Sequence, residues 1–366
     1  MFRRRFWFGL LTALAVAIAG CGGQGAAPQG GSDAQAPAGG GEQSGGQEEE
    51  RLVIYTARDK SVVDFVVPRF EEAHPEYKGK VEVLTMGAQE ILERVRAEKA
   101  NPQADVWWGG TQQALSQAAK EGLLAAVKPS FADQVPAEYK DPNGYWYGEI
   151  LLPEVIMYNT EALSPEEAPQ DWDDLVDPKW KGKIIIRAVP ASGTMRTIYA
   201  AMIYRFYEQD GKPDRGFEWL KKLDANTKEY AANPTDLYLK LARQEGLLSL
   251  WNLQDILIQK EQKNMPFGYV VPKSGAPILV DGVAVVQGAK HPRAAEKFLE
   301  FLFSQELRTA LATEYYQIPT IPLDQEPEWL RGLELKAMEL DWDVMAANEK
   351  DWIQYWDQNI KGKGDQ

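Results

Sequence analysis

One cysteine and two histidines in 366 residues leave little of the usual material for thiol or metal chemistry. His74 and His291 are each followed by proline, which places both at the ends of elements. There is no His-Glu-x-x-His helix, Gly-x-Ser-x-Gly elbow or cysteine cluster, so the common zinc and hydrolase constellations are excluded. A site built from carboxylates alone stays open, because Asp and Glu number 54. Positive charge is scarce: 40 Lys and Arg leave a net charge of −14. Nucleic acid needs a basic face, so it is excluded as a partner. Beyond the first twenty residues there is no long apolar run, and the chain is not expected to cross a membrane. Without disulfides the fold needs large cores, for which 12 Trp, 15 Tyr and 12 Phe supply material.

The lone Cys21 has a specific context. Arg3, Arg4 and Arg5 precede an apolar run over 6–19 that only Thr12 interrupts, followed by Gly20. These are the parts of an export signal, expected over residues 1–20. Ile18-Ala19-Gly20-Cys21 resembles the bacterial lipobox, in which the chain is cut before the cysteine and its thiol is acylated. Residues 21–50 are largely Gly, Ala, Gln, Ser and Glu. Such a segment buries too little apolar surface to fold and reads as a tether. Acyl chains add about 0.8 kcal/mol of membrane affinity per buried methylene. Cys21 is therefore read as a lipid anchor holding the protein at the outer face of the cell membrane, or facing the periplasm in a cell with two membranes.

From residue 51 the pattern changes. RLVIYTAR reads as a strand, SVVDFVVPRFEEAHP as a helix, KVEVLTMG as a strand, QEILERVRAEKA as a helix and ADVWWGG as a third strand. This alternation predicts an α/β fold with a parallel sheet and helices on its faces. Ligands of such sheets bind beyond the carboxyl ends of the strands. Those ends carry Thr56 and Arg58, Met86-Gly87-Ala88, and Gly109-Gly110-Thr111. A second α/β unit follows. In it the apolar strand 183–186 leads to Ser192-Gly193-Thr194 at the start of a long helical pattern, with Arg196 one turn on. A helix start of this kind suits an anion, and it equally suits an ordinary N-cap. LLSLWNLQD reads as a strand ending near Trp251, Asn252 and Asp255. Beyond Pro322 the tail is helical, with Trp329, Trp342, Trp352, Tyr355 and Trp356 read as core.

The segments ADVWWGGTQQALSQAAKEGLL, LLPEVIMYNTEAL, DPKWKGKIII and DGVAVVQGAKHPRAAEKFLEFLFSQE are similar to the ferric-iron and phosphorylated-sugar branch of the extracellular solute-binding proteins of bacterial ABC importers. The resemblance implies a two-lobe type 2 periplasmic-binding fold with two hinge crossings, near 151–158 and 274–283, and a ligand cleft between the lobes. Lobe one is then 51–152 with 281–366, and lobe two is 153–280. It also implies a monomer that captures a solute for a membrane permease, without a cofactor and without catalysis.

Ferric members of such a family hold the metal with a His after the first strand, a Glu after the third and an adjacent Tyr pair. The matching positions here are Asp59, Gly110 and Trp251-Asn252, which provide no phenolate for a hard ferric ion. The tyrosines Tyr315 and Tyr316 lie in another region. The expected ligand is therefore a small anion, phosphorylated, phosphonate or carboxylate. Thr56, Thr111, Ser192, Gly193 and Thr194 are the expected donors, Arg58 and Arg196 the charge partners, and Trp251 the cover. Gly109, Gly110, Asn252 and Asp255 complete the candidate set. The alternatives are ferric-iron transport, a lipid-anchored extracellular enzyme and a structural lipoprotein.

Substituting Cys21→Ser is expected to release the protein into the medium or leave an unprocessed precursor. Unchanged partitioning of the variant into detergent would sink the anchor.

Overall fold

The computed structural model describes residues 50–363. The expected signal segment, Cys21 and nearly all of the tether lie outside these residues. The first unit alternates as its hydrophobic spacing requires: β1 (Leu52–Thr56), α1 (Lys60–Ala73), β2 (Val81–Thr85), α2 (Ala88–Ala97), β3 (Val106–Thr111) and α3 (Gln112–Lys120). Short β4 (Leu124–Ala125) and long β5 (Tyr147–Asn159) follow. The second unit runs β6 (Ile184–Arg187), α4 (Gly193–Asp210), α5 (Asp214–Asn226), β7 (Thr227–Ala231), α6 (Pro234–Ala242), β8 (Leu248–Asn252), α7 (Leu253–Lys263) and β9 (Phe267–Val270). The chain then returns through β10 (Ile278–Val286), α8 (Pro292–Leu302), α9 (Gln305–Tyr315) and β11 (Ile318–Pro319), and ends with α10 (Glu328–Arg331) and α11 (Trp342–Asn359).

The main strand order is β2-β1-β3-β10-β5-β8-β6-β7. β1 pairs in parallel with β2 and β3, and β6 with β7 and β8. β10 and β5 are antiparallel to their neighbours. β5 belongs to both lobes. From Tyr147 to Pro153 it pairs with β10, and from Glu154 to Tyr158 it pairs with β8. Pro153 has no N–H to give to a ladder, and it stands where the partner changes.

Alternation along the strands sends neighbouring residues to opposite faces. Ile54, Trp108, Val283 and Val285 pack with α1, α8 and α9 on one face of the first lobe. Tyr55, Trp107, Ala284 and Val286 pack with α2 and α3 on the other. The second lobe has its own core around Ile185, Ile198, Met202, Leu220 and Leu250. Trp352, Ile353 and Trp356 of α11 belong to that second core. The expectation that 281–366 lies wholly with the first lobe is therefore corrected: after β11 the chain passes between lobes a third time. The Trp356 ring meets Tyr199 of α4 edge-on at 5.0 Å, an attachment whose spacing along the tail does not name its partner.

A buried ion network holds the first lobe at β5. Glu149 is fully buried and pairs with Arg58 at 2.7 Å and with Arg308 of α9 at 2.7 Å. Trp108 Nε1 donates to the same carboxylate at 2.7 Å. Arg58 also pairs with Asp281 of β10 at 2.7 Å. Burial raises the pKa of Glu149, but the two guanidiniums outweigh it and leave the group below the ordinary range. Asp281 differs. Burial pushes it up, Arg58 opposes and Glu149 adds to the rise, leaving it at about 7.

Replacing Arg308 with alanine leaves a buried carboxylate half-compensated, and is expected to cost about 3–5 kcal/mol in urea unfolding. A second expectation concerns pH. Asp281 stays protonated in the fold up to about 7, whereas in the unfolded chain an aspartate ionises near pH 4. Between those values the native state binds the extra proton, so stability falls as pH rises through the window. Asp281→Asn should flatten the fall by an amount on the order of 1–4 kcal/mol. Equal slopes for parent and variant between pH 5 and 8 would refute this assignment.

Candidate functional site

A cavity of about 520 Å³ lies where the carboxyl ends of the strands of both units converge. Arg58 and Asp59 follow β1, Met86 and Gly87 follow β2, and Thr111 ends β3. From the second unit come Arg187 at the end of β6, Ser192, Gly193 and Thr194 before and within the first turn of α4, Asn233 and Thr235 at α6, and Trp251, Asn252 and Asp255 around the start of α7.

Two of the lining hydroxyls are engaged as caps. Thr111 accepts from Ala114 N at 3.2 Å and Ser192 from Met195 N at 3.3 Å. Asn233 and Asn252 cap α6 and α7 in the same way. Asp59 caps α1, accepting from Ser61 N at 2.7 Å. The helix starts thus bring partial positive charge and remaining backbone N–H groups to one space.

Several expected residues do not line the cavity. Thr56 is fully buried and its Oγ1 accepts from Arg58 N at 3.1 Å, fixing the turn. Gly109 and Gly110 remain inside β3, because the pairing with β10 extends to Thr111. A Cβ at Gly110 would fall 2.8 Å from Leu115 Cγ, so this glycine serves packing. Arg196 points away to α11 and pairs with Glu349 at 2.5 Å. Arg58 reaches the cavity wall, but its charge is spent on Glu149 and Asp281.

Lys60 also lines the cavity, but it is exposed and pairs with Asp64 at 2.5 Å, which leaves Arg187. It is 7% exposed, lines the cavity, and its Nη1 donates to Ala188 O at 3.2 Å. Among the described residues no carboxylate is bonded to it. Burial lowers its pKa and nearby Glu90 acts against that. Its signal was in the sequence, as the last residue of the apolar strand before Ser192. Asn233-Pro234 was another missed sign, a cap followed by proline at the first helical position. Glu154 and Tyr238 had no sequence signal, since both depend on cross-strand pairing and burial.

Small residues hold the lobes in contact across the rim. A Cβ on Gly193 would lie 2.6 Å from Thr111 Cγ2, and one on Gly87 would lie 2.7 Å from Ala191 O. The described conformation is closed at these points.

A wider groove of about 700 Å³ lies between α3 and the residues before α11. It is lined by Glu138, Glu208, Glu339, Asp341 and Asp343 against Lys120 and Lys140, a poor field for an anion. Among the described residues no group of three or more His, Cys, Asp or Glu is placed to hold a metal ion. Tyr315 packs on Phe65 and Tyr316 on Trp329, outside the cavity.

Comparison with known proteins agrees with this architecture. A family model described as bacterial extracellular solute-binding protein matches residues 101–348. A probable ABC transporter periplasmic-binding protein of Sinorhizobium fredii is 29% identical over 283 residues, covering 75% of this chain and 78% of that one. Iron uptake protein A1 of Synechocystis is 29% identical over 286 residues, covering 75% and 77%. The structure of the periplasmic binding protein AfuA from Actinobacillus pleuropneumoniae, with fructose-6-phosphate bound, matches with a TM-score of 0.75 and 29% identity over 85% of this chain and 99% of that one. The fold is the two-lobe type 2 periplasmic-binding fold, and the chain belongs to the bacterial extracellular solute-binding proteins.

Proposed function

We propose that the cleft captures a small organic anion, phosphorylated, phosphonate or carboxylate, and that the closed protein presents it to an ABC permease. The observation that carries this reading is Arg187, a buried guanidinium with no bonded carboxylate among the described residues, beside the starts of α4 and α6. A buried charge of this kind needs a counter-ion, and an oxyanion supplies both the charge and the hydrogen-bond acceptors. The fructose-6-phosphate in the AfuA structure is an anion of this class.

Iron is the second reading, favoured by the name of the Synechocystis relative. The tyrosine of this cavity speaks against it. Tyr238 donates to Asp255 Oδ2 at 3.1 Å, and burial together with the Asp255 charge pushes its pKa well above the ordinary value. A phenolate ligand is therefore costly here.

The protein acts as a carrier rather than an enzyme in this reading. Acylated Cys21 would keep it at the outer membrane face while the tether lets the lobes reach the permease. Closure follows from differential affinity: a ligand touching both lobes binds the closed form more tightly.

A thermal-shift screen of phosphorylated sugars, phosphonates, carboxylates and ferric salts tests the ligand class. A specific binder at about 100 times its dissociation constant should stabilise by about 2.7 kcal/mol. Arg187→Met should weaken an anionic binder by about 1.5–3 kcal/mol in calorimetry; unchanged affinity would place the anion elsewhere. Gly193→Val should obstruct closure, because its side chain meets Thr111. Small-angle scattering should then show ligand-induced compaction in the parent and little in the variant, whereas equal compaction would remove Gly193 from the closing contact.

A further inference from the structure

The cleft also has an acidic half that an anion does not explain. Asp255 lines it, and three donors converge on one oxygen: Tyr238 Oη at 3.1 Å, Trp251 Nε1 at 3.0 Å and Asn252 Nδ2 at 3.0 Å all reach Oδ2. No described donor is bonded to Oδ1. The carboxylate is thus fixed in place with one oxygen unused. Glu154 is fully buried; the Thr194 hydroxyl lies near enough to lower its pKa, but neither carboxylate oxygen is bonded to a partner. On β5 it shares a face with Leu152 and lies opposite Asn252 of β8, and both of these line the cavity. Asp281 and Asp59 border the same space.

Among the described residues, the cations bonded to carboxylates here do not reach every acid of the cleft. Arg58 serves Glu149 and Asp281, and Arg308 serves Glu149. That leaves Asp255 and Glu154 without a bonded cation. Burial raises the pKa of both, and the charge of Asp255 raises Glu154 further. A ligand hydroxyl would satisfy lone pairs but leave the charge uncompensated in a closed, poorly hydrated space. A protonated amine satisfies both.

We propose that Asp255, backed by Glu154, forms a second pole of the cleft that takes an ammonium group, so that the captured solute is amphoteric, with an oxyanion at Arg187 and a cationic amine at Asp255. This rests on the anion reading above and adds to it the chemistry of the solute's other end. Asp255 touches the amine, and Glu154 stands behind it as a buried acid whose ionisation a bound cation would favour. The cavity of about 520 Å³ holds a molecule of that size class.

Calorimetry on the full chain with matched probes tests the pole. Aminomethyl-, 2-aminoethyl- and 3-aminopropylphosphonate are compared with their hydroxy and plain alkyl counterparts, with fructose-6-phosphate as an anion that has no amine. At least one amine is expected to bind about tenfold or more tighter than its hydroxy counterpart. Asp255→Asn keeps an oxygen for the three donors and should cost the amine about tenfold while changing the hydroxy compound little. Glu154→Gln, with a melting curve to check folding, should lower the same preference. Equal affinity of amine, hydroxy and alkyl probes, or binding of fructose-6-phosphate alone, overturns the acidic pole and leaves the anion reading standing. Binding of none of the anions, with or without an amine, overturns both.

Discussion

The fully buried carboxylate of Glu149, held between Arg58 and Arg308, is the constraint on which the rest of the architecture depends. Removing such a group from water costs several kcal/mol, and only near-ideal pairing recovers that cost. The pairing joins the end of β1, the middle of β3 through Trp108, the long β5 and α9. Through Arg58 it reaches β10 as well. Four residues further along, at Pro153, β5 begins to change partners. The strand therefore enters the second lobe from a clamped base, and its ladder loses a donor where the partner changes.

The same network decides which cation the cleft offers. Arg58 stands where a strand-end arginine would meet a ligand, yet its charge is committed inward. Arg187 stands at the end of β6 with its charge uncommitted, and the polarity of the cleft is set from the second lobe. The small residues at the rim have a mechanical role. Gly87, Ala88, Ala191 and Gly193 let two backbones approach until side chains such as Thr111 touch them. Bulk there would act on the equilibrium between open and closed forms before it acted on ligand contacts.

The alternating units were legible because apolar periodicity and strand-end glycines are local signals. β1 to α3 and β6 to α4 fall close to where spacing places them. Thr111, Ser192, Asn252 and Asp255 were legible as positions near strand ends, for the same reason. Gly109 and Gly110 misled because a glycine that a strand needs for a positive φ or for tight packing and one that admits a ligand look alike in sequence. Arg196 misled because its partner, Glu349, lies 153 residues away. Glu154 was silent for a related reason: an acid within an apolar run reveals its surroundings only once the strand opposite it is known. The passage of the tail onto the second lobe was equally hidden, since aromatic spacing shows that a helix has a buried face but not which core receives it.

The attachment of α11 also has a consequence for the nascent chain. The first lobe lacks β10, α8 and α9 until residue 315 has been made, and the second lacks Trp352 and Trp356 until the last fifteen or so residues of the described chain emerge. Neither core can close early during synthesis, although lobes generally fold as units in order of appearance. The long separations in sequence also predict slow folding, because distant segments must meet before burial compensates for their lost entropy. A chain built in this order leaves the first core open until α9 has been made and the second until Trp356 has been made.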